Sequence, residues 1–288
     1  MLRVLFCADP LAPSKTDPHF AAQASIVREL GGQVALIDHD VLLTGEVAAA
    51  VRRVPRESGP WWYRGWMIPS PSYVELVSAL TQREAPLRVS PRQYRAAHEL
   101  PGWFDTFRDL TPASAWCAWE PRAVPSEKDV AALADALGPG PAVAKDFVKS
   151  RKHEWAQACY IPEISDLATA TAVVARMVEL QDDGLNGGIV LRRFENYPRA
   201  EEARVWWIDG APVLTTAHPD TPAVEITPDL TAIAPSVAAL GCRFITTDIA
   251  LRDDGQWRVV EVGDGQVSDF PASGDATVLL EQWAHRTT

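Results

Sequence analysis

A chain of 288 residues that is 47% apolar and 23% charged can bury one large core or two modest ones, which excludes disorder and any fold that must be stapled by disulfides or metal. Its formal charge of −11 excludes a general coat for nucleic-acid duplexes but leaves room for a local basic site that grips a nucleotide. Cys7, Cys117, Cys159 and Cys242 stand singly, without zinc or disulfide spacing, and the apolar run 2–8 is too short for a signal or membrane segment, so a cytoplasmic protein with no membrane partner is expected.

In chain order, residues 2–7 read as a buried strand, 19–30 as a helix closed by Gly31-Gly32, and 33–37 as a second strand. That βαβ unit predicts a parallel sheet in a Rossmann-like arrangement. It lacks the Gly-x-Gly-x-x-Gly turn of dinucleotide sites, so no nicotinamide cofactor is expected. Residues 61–67 read as a strand and turn, 71–82 as an amphipathic helix, and 86–89 as a short strand. A helix begins near Pro91, and prolines 112, 121 and 125 mark an irregular connector before a helix capped by Ser126. Then come a strand over 142–149, a helix over 168–180 and a strand over 188–194. Residues 202–208 and 212–216 form a hairpin turning at Asp209-Gly210. After a helix over 232–240, strands 244–251 and 257–262 are joined by Asp253-Asp254-Gly255, and a final helix covers 275–283. The eleven tryptophans read mostly as core or rim packing.

Two acids on the last hairpin, Asp248 and Glu261, lie in apolar settings where an unpaired carboxylate is costly. Such a pair suits magnesium, a hard cation that takes oxygen ligands and shares them with phosphates. Lys145 lies in the apolar run 143–147, either snorkelling from an edge or aimed into a cleft. The cluster 149–153 is either a solvated basic turn or a phosphate contact in an otherwise acidic protein. His98, His153 and His218 are open between acid–base and packing roles.

The stretch Glu202-Ala203-Arg204-Val205-Trp206-Trp207-Ile208-Asp209-Gly210, followed by Asp248 and Glu261-Val262-Gly263, resembles the C-terminal half of ATP-grasp ligases. The resemblance covers residues 90 to 285. It implies an α/β protein, α+β in its C-terminal part, with the ATP-grasp fold behind a Rossmann-like domain over 1–89. Linker helices and a lid subdomain would occupy 90–187, and a metal-bearing subdomain 188–288. By the same resemblance the cofactors are ATP and Mg²⁺, with Asp248 and Glu261 as metal ligands. Gly263 stands where the family usually has a metal-binding Asn, so a third ligand falls to Asp264, Gln266 or water. Lys145 would contact phosphates with a catalytic role, and Lys149 would assist. The strand 188–194, with Arg192, Arg193 and Phe194, would read adenine, Glu202 would approach the ribose, and Arg204 would face the γ-phosphate or acyl phosphate.

Thr246 stands where many members carry an Arg, leaving Arg64, Arg192, Arg193 or Arg243 to stabilise the intermediate, and the loop 149–153 replaces the glycine-rich lid. Arg64 is read as a clamp for a substrate carboxylate or a structural salt bridge, His153 as a substrate contact, and Gln266 and Ser268 as shaping an acceptor site. The expected activity is an ATP- and Mg-dependent ligase that activates a small-molecule or peptide carboxylate as an acyl phosphate and joins it to an amine. Two other readings stand beside it: a nucleotide-binding regulatory or interaction module, and a small-molecule kinase. A homodimer is compatible with the sequence.

Overall fold

The computed structural model describes residues 1–197, 202–219, 226–271 and 274–286. Its strands are β1 (Arg3–Cys7), β2 (Gln33–Ile37), β3 (Trp62–Arg64), β4 (Ser114–Ala118), β5 (Ala142–Lys145), β6 (Tyr160–Ile161), β7 (Gly188–Arg193), β8 (Glu202–Ile208), β9 (Ala211–Ala217), β10 (Phe244–Leu251) and β11 (Trp257–Asp264). They form a mixed α/β structure with three sheets, in the orders β2-β1-β3, β4-β7-β5-β6 and β11-β10-β8-β9. The chain divides into two compact units that are not contiguous in sequence. The first is Met1–Ala97, Glu201–Ile249 and Val262–Thr288; the second is His98–Ala200 and Ala250–Glu261.

In the first unit, the apolar run of β1 is buried over its last four residues and pairs in parallel with both β2 and β3. Strands running the same way need a crossover, and the helix Ala21–Glu29 supplies it, burying Gln23, Ala24 and Val27. Strands β8 and β9 form an antiparallel hairpin whose turn places Asp209 and Gly210 at φ +49° and +79°. Asp and Gly are the residues that tolerate two successive left-handed positions, so the sequence itself selects this tight turn. The core joins both ends of the chain: Trp62 of β3 stacks on Trp283 of the C-terminal helix Ala276–His285 at 5.0 Å, and Phe244 packs edge-on against both. Six tryptophans, among them Trp61, Trp103, Trp206 and Trp207, are buried below 2% exposure, as the core reading expects. The strand expected over 86–89 is reduced to a single bridge between Trp61 and Leu87. Pro86 has no N–H to donate, which shortens any ladder there.

The second unit is an antiparallel sheet with β7 at its centre, paired to β4 and β5, and β6 at the edge. Helices Glu127–Leu137 and Leu167–Gln181 cover one face, packing Val130, Leu133, Val174 and Met177 on Ala142, Ala144, Ile189 and Leu191. The first of these helices opens with a capping box, Ser126 and Asp129 satisfying each other's backbone N–H. Alternation along β5 and β7 leaves Val143, Lys145, Val190 and Arg192 on the face away from these helices, where Lys145, Val190 and Arg192 are buried, with Val143 opposite Arg192 and Lys145 opposite Val190. The proline-marked connector holds β4, which its mixed sequence Ser-Ala-Trp-Cys-Ala did not announce and which pairing with β7 creates. All four cysteines are free, and no helix among the described residues is long and apolar enough to cross a membrane.

Candidate functional site

Two groups of polar side chains stand out, one in each unit. In the second unit, Lys145 closes β5 with only 6% of its surface exposed, and its Nζ lies 3.2 Å from Glu261 Oε1 on β11. Burial among apolar residues would penalise that ammonium without a partner, and Glu261 is the partner. The turn that follows is tied down by Asp146. Its buried carboxylate accepts the backbone N–H groups of Val148 (2.6 Å), Lys149 and Asn186 (3.2 Å), together with Gln181 Nε2 at 3.0 Å. Burial pushes the Asp146 carboxyl up, and the three backbone donors restrain it. This clamp sets the path of the basic loop, on which Lys149 and His153 are exposed. His98 also belongs here: burial pushes it down to about 4, against the pull of Glu99 and Glu261, so it is neutral at pH 7.

The hinge-strand residues go in different directions. Arg192 gives Nη1 to Val260 O (2.6 Å) and Nη2 to Thr111 Oγ1 (2.6 Å), with its guanidinium over Trp103, while burial lowers its pKa. Arg193 reaches the carbonyl of Gly138 at 3.3 Å. Phe194 is 37% exposed and meets Trp155 and Tyr160 at 6.1 and 5.3 Å between ring centres, making an aromatic shelf.

In the first unit, Arg204 on β8 binds Asp248 on β10 through both ends of its fork, Nε to Oδ1 at 2.7 Å and Nη2 to Oδ2 at 2.8 Å. His218, just past β9, places Nε2 at 3.4 Å from Asp248 Oδ2 and 3.1 Å from Arg204 Nη2. The hairpin register brings Glu202 alongside, its carbonyl accepting the His218 N–H at 2.9 Å. Ligand atoms of Glu202, His218 and Asp248 lie within 4.8 Å of one another, a donor set able to hold a cation. Burial pushes the Asp248 carboxyl up, but the Arg204 charge and hydrogen bonds, with those of His218, pull harder and bring it to about 2. Burial likewise pushes His218 down, and Asp248 more than reverses it, raising its pKa. Both oxygens of Asp248 thus already face a guanidinium.

The segment after β11 is held as a strap. Arg64, 1% exposed, donates Nη1 to the carbonyls of Gln266 (3.2 Å) and Ser268 (2.7 Å) and Nε to Gln23 (2.8 Å). Burial lowers it to about 10, still a cation. Ser268 Oγ lies 2.7 Å from Thr246 Oγ1, and a Cβ on Gly263 would come within 3.0 Å of both hydroxyls. The hydroxyl pair therefore occupies the space an Asn side chain at 263 would need. Asp264 points to the other face of β11, where Oδ1 accepts Gln266 N (2.9 Å) and Nε2 (3.0 Å) and Oδ2 is buried with no hydrogen bond among the described residues. Burial pushes Asp264 up to about 7 against those two donors. Arg243 is spent on Asp209 at the hairpin turn, at 3.0 and 3.3 Å.

Lys145 and Glu261 are thus brought together, as are Arg204, Asp248 and Glu202, and Gln266 and Ser268 share the strap with Arg64. His153 and Phe194 stand apart from these groups. Sequence reasoning left His218 unassigned and passed over Asp146 and the Thr246–Ser268 pair. The hairpin turn at Asp209-Gly210 does not by itself carry the signal for His218, because a bulge between Trp206 and Trp207 shifts the register by one residue, and counting from the turn would set Ala217 opposite Glu202.

No curated protein sequence matches the chain. Solved structures match over its whole length. D-cycloserine synthetase DcsG superposes with a TM-score of 0.68 at 14% identity, covering 99% of each chain. A RimK domain protein ATP-grasp from Sphaerobacter thermophilus DSM 20745 gives 0.62 at 15%, covering 98% of each. The ATP-grasp ligase PsnB, complexed with minimal precursor, Mg and ADP, gives 0.57 at 16%, covering 99% of this chain and 98% of its own. At such identities the likeness establishes the ATP-grasp fold alone. The sequence model of an ATP-grasp domain, the third family of its clade, matches residues 136–283, more than half of the chain, and this protein belongs to that ATP-grasp family.

Proposed function

We propose that the protein is an ATP- and magnesium-dependent ligase that joins a carboxylate to an amine. The observation that carries this reading is the contact of Lys145 with Glu261, two residues 116 positions apart that the ATP-grasp pattern assigns to phosphate and metal. A carboxylate cannot expel oxide. Attack of its oxygen on the γ-phosphorus of ATP releases ADP and leaves an acyl phosphate. The amine nitrogen then attacks the carbonyl carbon, phosphate departs with the electron pair, and the nitrogen gives up its proton.

Reactions of this kind depend mainly on positioning and charge neutralisation. Lys145, with Lys149 on the turn that Asp146 holds, would neutralise phosphate charge, and Arg204 would meet the charge that develops at the transferred group. The backbone of the hinge strand, with exposed Phe194 at its end, would line the base, and Glu202 the ribose, while the Arg192 and Arg193 side chains are held away by Thr111, Val260 and Gly138. Asp248, which is kept ionised, and half-exposed Glu261 each offer the carboxylate oxygen that magnesium takes, and water would supply the further ligand, since Asp264 is turned to the other face of β11 and Gln266 is bonded to it and to Tyr73. When bound there, magnesium supplies charge neutralisation at the phosphates.

A nucleotide-binding module that makes no bond is the second reading, favoured by the guanidinium that fills both oxygens of Asp248 and by the hydroxyl pair beside Gly263. Incubation with MgATP, a panel of carboxylates and hydroxylamine separates the readings. ADP with hydroxamate is expected; ADP with a stable phosphorylated product would make the protein a kinase, and ATP binding without ADP across the panel would make it a module. Lys145→Ala and Glu261→Ala should fold and lose ADP formation, at a cost to the barrier of about 2–4 kcal/mol for each lost charge contact.

A further inference from the structure

The first unit carries an exposed group that the ATP reading leaves unused. Asp269 follows the strap, with its side chain 53% exposed, and its Oδ1 accepts the Phe270 N–H (3.0 Å) and lies 2.8 Å from His19 Nε2. Among the described residues its Oδ2 carries no hydrogen bond. The His19 ring lies against the indole of Trp66 at 4.7 Å, and Trp66 is 41% exposed, the rest of it fixed by Phe20 and by a 2.9 Å hydrogen bond from Nε1 to Asp17.

An ordinary contact between a carboxylate and an imidazole at the surface has mobile partners and loses most of its worth to water. This one is built on a buried frame. Arg204 Nη1 holds the Asp269 carbonyl at 2.8 Å, and Arg64 holds the carbonyls of Ser268 and Gln266 just before it. The result is a fixed carboxylate and a part-exposed indole joined through the His19 ring that touches both, with the charge of Arg204 already answered by Asp248. A carboxylate repels anions, and a single one lacks the donors to hold a metal ion. A compact cation that can give one N–H to the carboxylate and rest its charge on an indole is what the pair can take.

We infer that Asp269, His19 and Trp66 form a docking site for a primary ammonium group, that of the amine substrate. This rests on the amine-consuming reading above for its purpose, though not for its test. In an isotopically labelled sample, the Trp66 indole N–H signal, identified with Trp66→Phe, is followed while n-butylammonium chloride is added at constant ionic strength. n-Butanol serves as the neutral counterpart, and Nα-acetyl-lysine amide as a peptide-borne ammonium. Saturable movement with either ammonium and none with the alcohol is expected, with Asp269→Asn weakening binding at least about tenfold. The tighter of the two cations names the source of the amine. Dispersion of the remaining indole signals reports that the variant is folded.

Equal response to the alcohol, unchanged affinity in Asp269→Asn, or no saturable shift up to the solubility of the salts overturns the inference. The titration needs no turnover. A silent titration alongside hydroxamate formation would remove the docking site alone, whereas saturable binding without ADP would leave the site and remove the ligase.

Discussion

Asp248 and Asp264 lie in the same compact unit and are buried alike, at 3% and 1% exposure, yet their carboxyls move in opposite directions, to about 2 and about 7. Burial acts upward on both. The difference is what each oxygen meets: two guanidinium N–H bonds and an imidazole for Asp248, two amide donors from one glutamine for Asp264, with its second oxygen bare among the described residues. A buried carboxylate is thus made an anion or a near-neutral acid by the charge of its donors, not by its depth.

The largest expected effect breaks the contrast from the Asp248 side. Arg204→Met keeps the volume and removes the charge, so Asp248 is left buried and uncompensated; a loss of about 3–5 kcal/mol in urea unfolding is expected, with the Asp248 carboxyl rising toward Asp264. A loss under about 1 kcal/mol would show that solvent reaches Asp248 freely.

From the other side, Asp264 is raised above its unfolded value. The folded state therefore holds the proton more tightly, and stability falls as pH climbs from about 4 to about 7, then levels. Asp264→Asn keeps an oxygen for Gln266 and removes that slope, gaining about 3–4 kcal/mol at pH 8 and little at pH 4. Equal effects at both pH values would sink the assignment.

Asp248 has the opposite sign. Its contribution is whole above pH 4 and fades as pH falls toward 2, so the double variant Asp248→Asn/Arg204→Met should unfold in acid with about 2 kcal/mol less pH dependence. The smallest effect concerns Gly263, next to Asp264 on β11. Gly263→Ala should cost about 1 kcal/mol by crowding Ser268 and Thr246, and Ser268→Ala in the same chain should restore part of it.

Much of this was legible before any coordinates. The βαβ start, the Asp209-Gly210 turn and the helix behind Ser126 each follow from local signals: an unbroken apolar run, two residues that tolerate positive φ, a capping box. Asp248, Glu261 and Lys145 were legible because charge in an apolar strand is expensive and demands a reason, whereas Arg204 was marked only by the resemblance to ATP-grasp ligases. What could not be read was which charge answers which. Arg204 and Asp248 are 44 residues apart and Lys145 and Glu261 116 apart, and no local pattern encodes a contact at such range. β4 escaped notice because its sequence does not alternate cleanly, and the strand exists through its partner β7.

By itself the sequence determined that this is an α/β protein with an ATP-grasp pattern and that a handful of charged residues lie where burial requires partners, since periodicity, turn chemistry and desolvation act within a few residues. Tertiary structure alone decided the pairing of Arg204 with Asp248, the separate burial of Asp264, the hydroxyl pair that crowds any side chain at Gly263, and the meeting of His19 with Asp269, 250 residues away. The outcomes on the strands depend on register and on which face each residue takes, and a shift of one residue would reverse them, while the meeting of His19 with Asp269 depends on how two segments outside the strands are brought together.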